Sequence, residues 1–323
     1  MRYRNHPIVI AARASHLART QAHIIGEAIG RAHPQAQIEY RWFQSEADRL
    51  PMQRLARAGG KGLFVRGIER ALLDGEADVA VHSLKDVPAD VTTAGLIFAA
   101  IPLRVDPRDC LVTAEGLTLD QLPSAARIGT ASPRRAAQLL QHRPDLRISL
   151  LRGNVETRLR KVRQDRQFHA TILAMAGLIR GGHDLSAMKP LDPDTWLPAA
   201  GQGALGVQCR GDDHSTLRHL LCLNDPASSE AVHAERDVVR QLGCDCHSAI
   251  GVLCEPLPAG ESPQRDPTPG FRLRVWVGSP DGQRTATFEG QAKAGRLVPL
   301  ARDAVKSLKA QGAIGLLKEA SRR

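Results

Sequence analysis

Aromatic residues are scarce in this chain: six Phe, three Trp and two Tyr make up 3% of its 323 residues. So few stacking platforms argue against single-stranded nucleic acid as the main ligand, although a formal charge of +10 would otherwise invite it. Zinc-finger spacing, an RNP-like aromatic run and basic-zipper heptads are missing as well, which removes the usual recognition modules. Long hydrophobic runs are also absent. The most extended apolar stretch, Ala170 to Ile179, falls far short of the roughly 20 residues a membrane span requires. The first residues run directly into Ile8-Val9-Ile10 with no apolar h-region and no small-residue cleavage signature, which predicts a cytoplasmic protein. Six cysteines spread over so long a chain predict thiols in a reducing compartment, not a disulfide framework.

What is present is a globular balance of 42% hydrophobic and 24% charged residues, with room for two or three domains of about 100–150 residues each. The excess of 44 Lys and Arg over 34 Asp and Glu biases the protein toward anionic partners, and a polycarboxylate or phosphate satisfies it as well as a nucleic acid. Hydrophobic periodicity predicts a strand at Ile8 to Ala11, a helix capped by Ser15 and running to about Ala32, and a strand at Gln37 to Phe43. Gly59-Gly60-Lys61-Gly62 leads into a helix with Leu63, Ile68, Leu72 and Leu73 on its apolar side. A strand at Ala77 to Val81 then delivers His82-Ser83-Leu84-Lys85-Asp86 to its carboxyl end, the position where open α/β sheets bind ligands.

A second series follows, with strands at Ile128, Ile148 to Leu151 and Thr171 to Ala174 and helices from Ser132 and Asn154. Such alternation predicts parallel sheets covered by helices on both faces. Pro- and Gly-bearing segments near Ile101-Pro102 and Trp196-Leu197-Pro198 bracket this series and mark it as an insertion. Beyond Ser228 come a helix, a cysteine cluster, a Pro/Gly-rich loop, a hairpin through Asp281-Gly282 and a terminal helix from about Leu297. The expected architecture is α/β: a discontinuous domain of residues 1–102 with 203–223, an inserted arginine-rich domain of residues 107–198 with a cleft between the two, and an α+β domain of residues 228–323.

Two kinds of arginine crowd the inserted series. Arg160, Arg163 and Arg166 fall on exposed helix turns and read as a solvated face. Arg134, Arg135, Arg152 and Arg158 lie at strand ends or in first helical turns, where guanidinium forks and helix N-termini converge on carboxylates or phosphates. Asp86, taken alone, reads as a loop carboxylate in a surface ion pair. Cys244-Asp245-Cys246-His247 has the wrong spacing for a zinc knuckle, so no metal is expected; nearby positive charge would favour a thiolate there, while a buried, inert thiol is the commoner fate of any one cysteine.

Several segments together resemble the hydroxymethylbilane synthase, or porphobilinogen deaminase, family. They are Leu63-Phe64-Val65 after Gly-Gly-Lys-Gly, Val81-His82-Ser83-Leu84-Lys85-Asp86-Val87-Pro88, Asp106-Pro107-Arg108-Asp109, Gly129-Thr130-Ala131-Ser132-Pro133-Arg134-Arg135, Leu151-Arg152-Gly153-Asn154-Val155-Glu156-Thr157-Arg158, and Leu197-Pro198-Ala199-Ala200-Gly201-Gln202-Gly203-Ala204. Their order and spacing cover essentially the whole chain. The resemblance implies two domains like type II periplasmic binding proteins plus a third that carries a cofactor cysteine. It further implies a transferase that condenses four porphobilinogen molecules with release of ammonia and frees the linear product by hydrolysis, primed by a dipyrromethane held as a thioether. A monomer without nucleic-acid or membrane partners is expected. The alternative is a non-catalytic, carboxylate-binding paralogue of the same fold.

By the same resemblance, Asp86 matches the catalytic aspartate and Cys246 the attachment cysteine, the latter by its distance to Ile250-Gly251. Arg13, Ser15, Lys85, Ser132, Arg134, Arg135, Arg152 and Arg158 match positions that hold acetate and propionate arms, with Ser83, Thr130 and Gly153 inside the same motifs. Arg180 matches an arginine near the incoming substrate, Phe64 and Gln202 match cleft-lining positions, and Lys61 matches the lysine beside the lid. The chain departs from the pattern at Ser45-Glu46-Ala47-Asp48, where a positive charge is usual, and at Cys244-Asp245-Cys246, where Gly-Gly-Cys is usual.

That last departure makes the attachment point a choice between two thiols. Cys246→Ser should lack both the dipyrrole mass and activity, whereas Cys244→Ser should keep both. Peptide mapping that finds the adduct on Cys244 would move the attachment point.

Overall fold

The computed structural model describes residues 6–44, 65–90, 93–244, 248–257 and 270–320. The chain divides into two compact units, one of Met1–Val105 with Ala204–Ser229 and the other of Asp106–Gly203 with Glu230–Arg323. The first opens with β1 (Ile8–Arg13), α1 (His16–Ala32) and β2 (Ile38–Phe43). It continues with α2 (Arg66–Leu73), β3 (Val79–Ser83), a 3₁₀ turn at Leu84–Asp86 and β4 (Leu96–Ala100). In the second, β5 (Asp109–Thr113), β6 (Arg127–Gly129), α3 (Pro133–His142), β7 (Arg147–Ser149), α4 (Val155–Arg163), β8 (Ala170–Ala174), α5 (Met175–Arg180) and β9 (Met188–Pro190) follow one another. The chain then returns to the first unit for β10 (Leu205–Arg210) and α6 (His214–Leu220), and α7 (Pro226–Leu242) leads away again. The remainder is β11 (Ile250–Pro256), β12 (Gly270–Gly278), β13 (Thr285–Lys293), α8 (Leu297–Ala310) and α9 (Ala313–Ala320).

In the first unit the strand order is β2-β1-β3-β10-β4, with β1 parallel to both β2 and β3. Strands in such a sheet are buried on both faces, which is why Ile8-Val9-Ile10-Ala11 reads as an apolar run without alternation. Ile8, Ile10, Val79 and Val81 pack with Ala22, Ile25 and Ile29 of α1 on one face. Ala11 and Ala80 pack with Ile68 and Leu72 of α2 on the other. The second unit repeats the plan in a sheet ordered β7-β6-β8-β5-β9. Leu111, Ile128, Leu139, Ile172 and Trp196 fill one side of it, and Cys110, Val112, Leu173 and Leu178 the other.

Both sheets are mixed, not purely parallel as the alternation predicts. β10 runs antiparallel to β3 and β4, and β5 antiparallel to β8 and β9. The reason lies in the connections. β5 and β10 are the strands by which the chain enters each unit from the other, so neither is reached through a right-handed helical crossover, and parallel pairing is not imposed on them. Leu73, expected on the apolar face of α2, is 46% exposed. The terminal helix is broken at Gly312, whose φ of 82° ends α8 and starts α9.

The antiparallel sheet β11-β12-β13 belongs to the same compact unit as the inserted series. Trp276 of β12 packs with Ala137 of α3 and with Leu197, Ala249 and Leu253, and its indole N–H donates to Gln141 Oε1 at 2.9 Å. At the β12–β13 hairpin, Gly282 has φ 72°, and a Cβ there would lie 2.5 Å from Ala137 O and from Gln141 N. A side chain is excluded at that position both by conformation and by space.

Candidate functional site

In the first unit, the parallel pairing of β1 with β3 brings their carboxyl ends together. Arg13 at the end of β1, Ser15 at the N-cap of α1, Ser83 at the end of β3 and Asp86 in the following turn line one pocket with Gln21, His82 and Val87. Gln21 Nε2 donates to Ser83 Oγ at 3.0 Å, fixing the serine from the buried side of α1. Lys85 and Asp86 are exposed.

His82 is buried and carries a signal that the sequence motif does not assign. Gln208 Nε2 donates to Glu69 Oε1 at 3.1 Å, so its Oε1 is the end that faces His82 Nε2 at 3.0 Å. The imidazole therefore donates through Nε2. Glu69 Oε2 in turn accepts from Thr93 Oγ1 at 2.8 Å. Burial pushes the His82 pKa down, against the opposing pull of Gln208, Glu69 and Asp86, and the ring stays neutral.

The second unit presents two helix N-termini. Ser132 caps α3 by accepting from Arg135 N at 3.4 Å, and Thr130 Oγ1 accepts from Ser132 N at 3.1 Å. Asn154 caps α4 by accepting from Thr157 N at 2.9 Å. Gly153 before it has φ 123°, and a Cβ would meet Thr157 at 2.8 Å, so the loop carrying Arg152 requires glycine. Arg152 is exposed, while Arg158 folds back to donate from Nε to Gly153 O at 2.8 Å. Arg180 is half-buried and donates to Gly203 O at 2.8 Å; burial pushes its pKa down to about 10, which leaves it charged at neutral pH.

Four expected site residues, Thr130, Arg134, Arg135 and Gln202, are buried, and the last three serve one carboxylate. Arg134 and Arg135 are 4% and 6% exposed, and Asp109 accepts from Arg134 Nη1 and from Arg135 Nη2 at 2.7 Å each. Gln202, expected to line a cleft, is 1% exposed and donates to Pro107 O at 2.8 Å and to Asp109 Oδ1 at 2.9 Å. The physical reason is common to all three: a fully buried carboxylate at the start of β5 must be satisfied, and these side chains supply the donors. Asp109 was visible in the sequence only as the end of an Asp-Pro-Arg-Asp segment. Arg163 also departs from expectation, being half-buried with Nη2 unpartnered among the described residues. Arg160 and Arg166 are exposed and pair with Asp165 and Glu115, as a solvated face would. Lys61, Phe64, Cys246 and Ser45 to Asp48 lie outside the described residues, and Cys244 is a buried thiol.

Among the described residues no cluster of three or more His, Cys, Asp or Glu is placed to hold a metal ion, and no helix is long and apolar enough to cross a membrane. Residues 8–218 match the family model described as porphobilinogen deaminase, dipyromethane cofactor binding domain. The chain is 41% identical over 313 residues to a porphobilinogen deaminase of Brevibacillus brevis, covering 97% of each protein. It is also 41% identical to one from Shouchella clausii, over 97% of this chain and 96% of that one. With the enzyme of the same name from Syntrophotalea carbinolica the identity is 47%, over 73% of this chain and 75% of that one.

The buried His82 sets a pH dependence of stability. Its folded pKa lies below that of the unfolded chain, ordinarily about 6.5, so the unfolded state binds the proton first and stability falls as pH drops from there through the folded value. Between about pH 7.5 and 5.5 the Tm of the wild type should therefore fall further than that of His82→Gln; parallel Tm curves for the two proteins would contradict this.

Proposed function

The chain belongs to the porphobilinogen deaminase family, and from that premise we propose how its residues share the reaction. The enzyme condenses four porphobilinogen molecules head to tail. In each addition the bond to the aminomethyl nitrogen breaks and ammonia leaves, the methylene carbon joins the preceding pyrrole, and that pyrrole loses a proton. Water finally takes the methylene carbon and frees the linear hydroxymethylbilane. When bound, the dipyrromethane supplies the pyrrole on which the chain is started.

The donor set fits ligands with acidic arms and pyrrole N–H groups. Arg13, Ser15 and Ser83 offer a cation and two hydroxyls for acetate or propionate, and Asp86 in the same pocket offers the acceptor a pyrrole N–H requires. Asp86 also carries the negative charge that departure of ammonia calls for, since the substrate fragment left behind is cationic. The neutral His82 beside it adds no opposing positive charge. In the second unit, Arg152 on its glycine-dependent loop and the capped N-termini of α3 and α4 form a second donor set for carboxylates. Lys85, Thr130, Ser132, Arg158 and Arg180 extend these sets, and Lys61, Phe64 and Cys246 complete the assignment by motif. Cytoplasmic location, a monomeric state and the absence of nucleic-acid or membrane partners form part of the same reading.

The observation that carries the assignment is the placement of Asp86 in one pocket with Arg13, Ser15 and Ser83. Asp86→Asn keeps the shape and loses the charge. Its turnover should drop on the order of 10²–10³-fold while the dipyrrole mass is still acquired; near-normal tetrapyrrole formation would remove Asp86 from this role. The basic residues should divide as their surroundings do. Arg152→Gln is expected to raise the KM for porphobilinogen about tenfold. Arg160→Gln should leave KM unchanged, because its exposed pairing with Asp165 is screened by solvent. Equal effects of the two substitutions would refute the division.

A further inference from the structure

Asp109 has no exposed surface and receives four side-chain hydrogen bonds. Its Oδ2 accepts from Arg134 Nη1 at 2.7 Å and from Trp196 Nε1 at 2.9 Å, and its Oδ1 accepts from Arg135 Nη2 at 2.7 Å and from Gln202 Nε2 at 2.9 Å. Each guanidinium is held a second time by a backbone carbonyl. Arg134 Nη1 also donates to Leu197 O at 2.7 Å, and Arg135 Nη1 donates to Ile172 O at 2.7 Å. A planar fork fixed at two points has no freedom to turn, so the direction of its remaining N–H groups is set by those two anchors.

The charge of the cluster matters as much as its geometry. Two guanidinium groups face one carboxylate, and the other partners of that carboxylate, Trp196 and Gln202, are neutral. A buried group with one excess positive charge favours an anion in contact with it. Burial raises the pKa of Asp109, but Arg134 and Arg135 outweigh it and hold the carboxyl far below the usual carboxylate range. The Asp109 carboxylate therefore stays ionised at neutral pH.

We propose that Asp109 is a positioning residue for the reaction: by gripping Arg134 and Arg135 on its two oxygens it aims their remaining N–H groups at a carboxylate arm of the bound pyrroles. The proposal rests on the assignment of these two arginines to ligand carboxylates. It differs in sign from a simple effect of charge. Removing the carboxylate increases the positive excess, so attraction alone would tighten binding of an acidic ligand, whereas loss of positioning weakens it.

The test uses Asp109→Asn and Asp109→Glu, with Arg135→Gln and Leu122→Ala as references, in apoprotein reconstituted with porphobilinogen. Three quantities are measured: the fraction of chains that gain the dipyrrole mass, KM against kcat for the loaded fraction, and Tm. Asp109→Asn should load several-fold less completely and show a KM raised about tenfold with kcat changed less than about threefold. Asp109→Glu keeps the charge while displacing the fork, and should show the same direction of change. Leu122→Ala opens a cavity in the core of the same unit, and should lower Tm without moving KM. An unchanged or lowered KM in Asp109→Asn overturns the proposal, and if that variant does not fold, an unchanged KM in Asp109→Glu does so. If Arg135→Gln also leaves loading and KM untouched, the assignment of the arginines to the ligand fails, and the proposal with it. If Arg135→Gln impairs both and the Asp109 variants do not, the proposal alone fails.

Discussion

Much of the second unit hangs on one unexposed carboxylate. Asp109 begins β5 and is bound by the first turn of α3, by Trp196 in the segment leaving the inserted series, and by Gln202 just before the chain crosses back to the first unit. A lone ionised group so far from water would be intolerable, and with two guanidinium partners it becomes a fixed point. The segment around Leu197 is secured from α3 as well, since Gln138 Nε2 donates to Leu197 O at 3.0 Å and Leu197 N donates to Gln138 Oε1 at 2.8 Å. A second buried carboxylate, Glu235 of α7, accepts from Gly201 N at 2.6 Å and from Cys254 N at 2.8 Å. The stretch from Leu197 to Gly203 contains no helix or strand, yet side chains of four different elements, α3, β5, α5 and α7, hold it in place.

The same economy appears in the first unit. Glu69 of α2 and Gln208 of β10 are buried polar residues, joined to His82 and Thr93 in one chain of hydrogen bonds. Each group satisfies its neighbour, and the orientation of the Gln208 amide decides which His82 nitrogen carries the proton. The result is a neutral imidazole beneath a pocket that contains a carboxylate, so the charge of Asp86 is not cancelled from behind.

Local signals in the sequence were sufficient for most elements. The apolar runs of β1 and β8, the helix starts at Ser132 and Asn154, and the Asp281-Gly282 turn lie where periodicity and turn chemistry put them, and β3 lies two residues beyond its expected place. What periodicity could not convey was direction. β5 and β10 look like any buried strand, and only their place in a chain that passes three times between units makes them antiparallel. The site was legible in a similar measure. Asp86 was singled out by the resemblance of a whole motif to the family, since spacing alone leaves it a loop carboxylate, whereas Arg152 also stood out by its place between a strand end and a helix start. Local pattern could not distinguish an exposed arginine from one gripped by a buried carboxylate, since Arg134, Arg135 and Arg152 have the same chemistry and differ in what surrounds them. Asp109 and Glu235 were invisible as fixed points for the same reason: their partners come from positions 25 to 93 residues away in one case and 19 to 34 in the other.

The contact at Gly282 has a consequence for how this sequence can vary. Helix α3 carries Arg134 and Arg135 on the side toward Asp109, while Ala137 and Gln141 receive the hairpin tip and the Trp276 ring. One ten-residue helix is thereby a component of two interfaces at once, and neither has slack. The C-terminal sheet is consequently not an exchangeable module. A hairpin transplanted from a relative fits only if positions 137 and 141 travel with it, so grafts between members of the family must be cut outside α3, not at the linker that precedes β11.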